Sequence, residues 1–223
     1  MSDLLPKKKK KPNLTIGKAC LLIYGANGAG KSTLCANAPN ALFLETEPGA
    51  DHLERFSKRC TGLNDIIAIY KELAKGEDKF SPIVIDTVDK LYDQIKESLC
   101  REKQVESPAE IPHGAGWAQI NSRLEALISR FQALGRGLWL MGHAKKDDKG
   151  YTIPQLSAGA SDRVCNMVDV IGYISVDEEG KRRVHFSPGR GYKAKARVKQ
   201  GNTMPDTDLD YDQIVKAFEK AQK

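Results

Sequence analysis

The chain has 223 residues, 40% of them apolar, enough to bury one sizeable α/β core with small appendages. No apolar run approaches the roughly 20 residues that cross a bilayer and no apolar signal stretch opens the chain, so the expectation is a soluble cytoplasmic protein without a membrane partner. The net charge of +6 is uneven: residues 1–18 carry six lysines against Asp3, residues 19–180 hold 18 basic and 23 acidic side chains, and residues 181–199 hold eight basic and no acidic ones. Two positive patches on a mildly acidic body suit a polyanion touched at defined places.

Residues 1–18 read as a flexible basic arm, with the run Lys7–Lys11 between Pro6 and Pro12. A solvated tail, a nucleic-acid contact and a docking segment all fit it. The apolar run from Ala19 to Tyr24 then predicts a buried parallel strand, and Ser32 to Ala38 the helix after it. Between them Gly25-Ala26-Asn27-Gly28-Ala29-Gly30-Lys31-Ser32, followed by Thr33, fits the P-loop pattern at every fixed position. Its backbone N–H groups are expected to cradle a polyphosphate, with Lys31 reaching the β- and γ-phosphates and Ser32 offering a hydroxyl to Mg²⁺.

A second apolar strand, Ala41 to Leu44, ends in Glu45-Thr-Glu47-Pro-Gly-Ala-Asp51, where Asp51 predicts the cap of a helix running to about Arg59. Leu63 to Ala74 reads as a further amphipathic helix. A third strand, Ile83-Val-Ile-Asp86, stands downstream of the P-loop in the Walker B arrangement, its carboxylate completing the Mg²⁺ shell with Ser32. The residue after Asp86 is Thr87, where many P-loop ATPases place the glutamate that orients the attacking water. The base must then come from elsewhere, and Glu45 and Glu47 stand at the edge of the sheet where it is needed.

These residues resemble the RecA-like ATPases, and among them the compact phage-encoded proteins of single-strand annealing and recombination. The resemblance covers roughly residues 19–200. It puts Glu47 in the role of catalytic base, and it implies a parallel core in which the fourth strand, Leu138 to His143, lies between the first and the third. His143 would then stand between Lys31 and Asp86, where RecA has a glutamine that senses the γ-phosphate. A neutral imidazole there can donate to a phosphate oxygen or position water; the alternative is a histidine that merely caps the strand.

Glu106 to Gly116 corresponds to the first DNA-binding loop of RecA, and Ala144 to Asp162 to the second. Trp117 opens the helix Trp117 to Leu134 as its first aromatic and is expected in the core, with base stacking as the alternative. After a helix from Ala160 to Val168 and a fifth strand from Val170 to Val176, a turn at Glu178–Gly180 opens a hairpin through Arg182 to Phe186 and Tyr192 to Val198. Alternation puts Lys193, Lys195, Arg197 and Lys199 on one strand face. Charge protection of an edge strand is one account of that row. The resemblance supplies the other, in which Lys193, Lys195 and Arg197 reach the ATP of the next subunit.

The fold class expected is therefore α/β: a RecA-like P-loop NTPase core over 19–200, its mainly parallel sheet flanked by helices, with a C-terminal antiparallel hairpin. Residues 201–223 add an acidic stretch and the helix Tyr211 to Ala221. The resemblance implies an ATPase with Mg²⁺, single-stranded DNA and a single-strand-binding protein as partners, and a homo-oligomer, ring or filament, with nucleotide at the subunit interface in the host cytoplasm. A P-loop ATPase or nucleotide kinase acting on a protein or small molecule, and an ATP-gated DNA-binding scaffold, are the rival readings.

Overall fold

The computed structural model describes residues 14–49, 52–189 and 191–223. The run Lys7–Lys11 and the expected cap Asp51 lie outside the described residues. Residues 14–18, read as the end of the arm, belong to the core. Ile16–Lys18 forms a 3-10 turn, Ile16 is buried, and the Trp139 indole donates to its carbonyl at 3.3 Å.

Cys20–Gly25 (β1) leads through the P-loop to Lys31–Ala36 (α1), and Leu42–Glu45 (β2) follows. Phe56–Arg59 is a strand (β3) and not the helix expected over 51–59. It pairs parallel with β2 as the outermost strand, and all four of its residues are exposed. An edge strand lacks the continuous apolar run of strands covered on both faces, so its sequence gives no strand signal.

Leu63–Leu73 (α2), Ile83–Asp86 (β4), Val88–Lys103 (α3) and Ala115–Ala133 (α4) come next. Trp117, expected in the core, is 42% exposed in the first turn of α4. Leu138–Lys146 (β5) runs beyond His143 and folds back on Thr152–Pro154 (β6), so the expected loop is largely a hairpin followed by Ala158–Met167 (α5).

Val170–Val176 (β7) and Arg182–His185 (β8) make an antiparallel hairpin about the turn Asp177–Lys181. Its expected second arm is absent from that place. Within Tyr192–Val198 only Lys195–Ala196 (β9) is strand, and it pairs with β7, while Thr207–Asp208 (β10) pairs with β8. Tyr211–Gln222 (α6) buries Ile214, Ala217, Phe218 and Ala221 against the sheet, so residues 201–223 are part of the core as well.

The main sheet runs β10-β8-β7-β1-β5-β4-β2-β3, parallel from β7 through β3 and antiparallel at β8 and β10. Alternate residues feed two cores. Leu22, Leu44, Ile85 and Leu140 face α2 to α5, while Leu21, Phe43, Val84 and Met141 face α1 and α6. Both faces are covered, which explains why β1, β2 and β4 read as unbroken apolar runs. Among the described residues no helix is long and apolar enough to cross a membrane. All five cysteines are free thiols, and burial pushes those of Cys20 and Cys60 up to about 12.

The start of β5 is pressed against the N-terminal turn at Gly137, which has φ +76° and would put a Cβ 2.0 Å from the Gly17 carbonyl oxygen. Gly135 has a similar φ of +67° with open space around it. Gly137→Ala should therefore cost the left-handed strain of about 1–2 kcal/mol plus about 1–3 kcal/mol of overpacking, and Gly135→Ala the strain alone. Denaturant titration of the two variants checks this through the larger loss of stability in Gly137→Ala.

Candidate active site

Because β5 lies between β1 and β4, three strand ends meet at one edge, with Gly25 beside His143 and Asp86 beside Met141. A cleft of about 740 Å³ opens there. Ala26, Asn27, Gly28, Lys31, Ser32, Glu47, Asp86, Asp89, His143 and Gln155 all contribute to its walls.

The P-loop turns through Gly28 at φ +72° and Gly30 at φ +96°, a conformation open to glycine and strained for other residues. Gly25, Ala29 and Gly30 shape the loop from behind: Gly25 lies against Ile174, Ala29 is buried, and a Cβ on Gly30 would stand 2.5 Å from Leu209. Thr33 is exposed on α1. Lys31 is only 7% exposed, and its ammonium donates to the carbonyls of Gly25 at 3.2 Å and Ala26 at 3.0 Å. Burial pushes its pKa down, with Asp86, Asp89 and Glu47 opposing the shift.

Ser32 donates its hydroxyl to Asp86 Oδ2 at 3.3 Å, so the two expected metal ligands do come together. Burial pushes the Asp86 carboxyl up to about 6, with repulsion from Glu47 adding to the effect. A hydroxyl and a buried carboxylate converging beside a phosphate-binding loop form an all-oxygen donor set suited to Mg²⁺, which takes one or two protein oxygens and fills its shell with phosphate and water. The residues present thus fit Mg²⁺ and a nucleoside triphosphate.

The two glutamates at the end of β2, Glu45 as its last residue and Glu47 just beyond it, have separate environments. Glu45 accepts from Arg55 at 2.6 Å, and the Arg55 guanidinium also lies 5.1 Å over the Phe43 ring. Burial alone would raise the Glu45 pKa, but hydrogen bonds from Arg55 and Ser57 hold it below the usual carboxylate range. Thr46 fastens the segment to the end of β4: its N–H donates to the Asp86 carbonyl at 2.7 Å, and its hydroxyl accepts from Thr87 N–H at 2.7 Å and donates to the Thr87 carbonyl at 2.9 Å. That anchoring delivers Glu47 to the cleft, its Oε1 3.5 Å from His143 Nε2.

Asp89 is a site residue with no place among the sequence expectations. It lies in the first turn of α3, three residues after Asp86, and is buried. Its Oδ1 accepts the His143 backbone N–H at 3.2 Å and its Oδ2 lies 2.7 Å from Nδ1 of the ring. A carboxylate only accepts, so Nδ1 carries the proton. A neutral His143 would turn a lone pair into the cleft, which corrects the expected neutral donor. The spacing Asp86-Thr-Val-Asp89 is a visible signal, since one helical turn brings the second carboxylate back toward the strand end.

The basic row does not line the cleft. Lys193 pairs with Asp162 at 2.7 Å, Lys195 donates to the Cys165 carbonyl at 2.5 Å, and Arg197 donates to the Asn166 carbonyl at 2.7 Å. Lys195 and Arg197 thus serve the last turn of α5, where the carbonyls and the helix dipole favour them, while Lys193 meets a carboxylate midway along the helix. Arg182 from β8 is the cation beside the P-loop, donating to the Gly28 carbonyl at 3.4 Å. Nothing in its sequence context marked it for that place.

No curated protein matches the sequence. Among solved structures, a RadB recombinase superposes with a TM-score of 0.49 at 12% identity, over 76% of this chain and 80% of that one. Residues 17–198 match the family described as AAA domain. With that match spanning most of its length, from the strand before the P-loop to the end of the basic row, the chain belongs to the AAA domain family and is a P-loop ATPase.

Proposed function

We propose that this ATPase uses ATP and Mg²⁺ to act on single-stranded DNA in phage-type annealing or homologous recombination, as a homo-oligomer with the nucleotide at the subunit interface and a single-strand-binding protein as a further partner. The observation that carries the chemical half is the meeting of Lys31, the Ser32–Asp86 pair and Glu47 in one cleft. Bound Mg²⁺-ATP would supply a polarised terminal phosphate. Lys31 meets the phosphate charge with its ammonium, Ser32 and Asp86 would hold the cation, and Glu47 accepts the proton of the attacking water. Of the two glutamates at the end of β2, Glu45 is engaged by Arg55, which leaves the base role to Glu47.

The DNA half is supported by the resemblance and by surface chemistry. Trp117 offers an exposed ring, and the β5–β6 hairpin that continues from His143 carries exposed Lys146 and Lys149. Lys193, Lys195 and Arg197 could reach a neighbour's phosphate only by leaving the α5 contacts described above.

Lys31→Ala should abolish hydrolysis with an unchanged circular dichroism spectrum. Glu47→Gln should bind ATP normally by calorimetry and lose turnover by roughly 10²–10⁴-fold, the usual contribution of a general base. Glu45→Gln should behave differently: it takes the carboxylate charge away from a buried Arg55, costing about 3–5 kcal/mol of stability, while the folded fraction keeps its turnover. A turnover loss in Glu45→Gln with Glu47→Gln unaffected would put the base at the other glutamate.

Steady-state ATPase assays with and without single-stranded DNA test the DNA half, for which stimulation is expected. Deleting residues 1–12 should weaken DNA binding and flatten its salt dependence by roughly 0.7 for each phosphate the arm had neutralised. Turnover indifferent to DNA points to a protein or small-molecule partner, and DNA binding with negligible turnover to a scaffold.

A further inference from the structure

His143 stands between two carboxylates. On one side Asp89 takes both its backbone N–H and its Nδ1–H. On the other side Nε2 faces Glu47 Oε1 at 3.5 Å. In a neutral ring with its proton on Nδ1, Nε2 is an acceptor, and it would confront a carboxylate that is also an acceptor. An imidazolium removes that conflict by turning an N–H to Glu47. The charged groups facing the ring are Asp89 from α3, Glu47 from the segment after β2 and Lys31 from α1. The hydrogen bond to Asp89 is the largest influence on the ring and raises its pKa, while burial and Lys31 oppose it.

We propose that Asp89 is a positioning residue that keeps His143 an imidazolium with Nε2–H directed into the cleft, where it holds Glu47 until the terminal phosphate of ATP offers a more anionic partner. The inference rests on the reading of Glu47 as base and of the cleft as the ATP site. No covalent bond changes in the exchange. The proton stays on Nε2, the hydrogen bond moves from Glu47 Oε1 to a phosphate oxygen, and Glu47 is left free to take a proton from water. A nucleoside diphosphate lacks the γ-phosphate that would draw His143 away, so the base stays held. Both Asp89 oxygens are engaged by His143, one by its backbone N–H and one by its ring, so Asp89 acts through His143.

The test starts without nucleotide, by nitrogen-15 NMR of histidine-labelled protein across pH. The chain has four histidines, and the signal that disappears in His143→Gln assigns the ring. In the wild type both ring nitrogens should be protonated at neutral pH, with a titration midpoint above the ordinary 6.5. Asp89→Asn, which cannot stabilise the cation, should lower that midpoint while leaving unchanged the His185 signal, whose ring is paired with Asp206. Calorimetry of ATP and ADP then reads the second half: the preference for ATP over ADP should fall roughly tenfold in Asp89→Asn, the loss of one charged hydrogen bond.

A wild-type ring that is neutral at pH 7, or one that carries its single proton on Nε2, overturns the inference whatever becomes of Asp89→Asn. So does an Asp89→Asn variant with an unshifted His143 midpoint. Because the titration is read without nucleotide, it separates this inference from the ATPase reading. If the wild type binds neither nucleotide, that reading falls, and with it the phosphate half of the inference.

Discussion

The site depends on one constraint of the sheet, the insertion of β5 between β1 and β4. The P-loop leaves β1, the metal-side carboxylate ends β4, and neither is adjacent to the other along the chain or in the sheet. Parallel pairing of β5 with both aligns their C-terminal ends, Gly25 with His143 and Asp86 with Met141. A parallel sheet requires both faces covered, and the two cores satisfy that requirement from opposite sides. A one-residue slip of β5 would exchange the two faces of every side chain on it. Trp139 would then lose the Ile16 carbonyl, and His143 would lose Asp89. The hydrophobic pattern that fixes the strand thereby fixes the catalytic geometry.

Within the cleft the limiting factor is an excess of negative charge. Asp86, Asp89 and Glu47 converge on Lys31, and burial pushes Asp86 up to about 6. Each carboxylate has a local answer. Asp86 accepts from Ser32, Asp89 from His143, and Glu45, the fourth acid at this edge, from Arg55. Glu47 has the least committed partner, a histidine at 3.5 Å. The base role proposed for Glu47 requires a carboxylate that is free when water arrives, so a loose and exchangeable contact suits that role where a buried arginine would not.

The parts legible in the sequence were those set by local chemistry or by full burial. The P-loop and the three apolar strands β1, β2 and β4 were readable in that way, as was the pairing of Ser32 with Asp86, whereas the placement of β5 came only from the resemblance. Three elements were not, for distinct reasons. β3 carries Phe-Ser-Lys-Arg with every side chain exposed, and an edge strand without a buried face has no periodicity to detect. The alternation of Lys193, Lys195 and Arg197 was real, but it arose from docking on α5, which no rule about neighbouring strands anticipates. Asp89 was overlooked because a carboxylate in the first turn of a helix already has an ordinary explanation in the helix dipole, which hides its second use.

The basic stretch shows why charge counted along a chain is a poor guide to charge offered to a partner. Residues 181–199 carry eight cations and no acid, a composition that suggests a track for nucleic acid. In the fold, Lys181 lies 3.8 Å from Asp208, Arg182 meets the Gly28 carbonyl, Lys193 pairs with Asp162, and Lys195 and Arg197 serve the carbonyls of α5. The negative partners come from other segments, so sequence windows miss them. A cation already engaged contributes to DNA affinity only by what it gains beyond its present partner, which is far less than its formal charge suggests. If the proposed DNA role holds, the charge that serves it has to be sought on the β5–β6 hairpin, where Lys146 and Lys149 are exposed, before it is sought on the most basic stretch of the sequence.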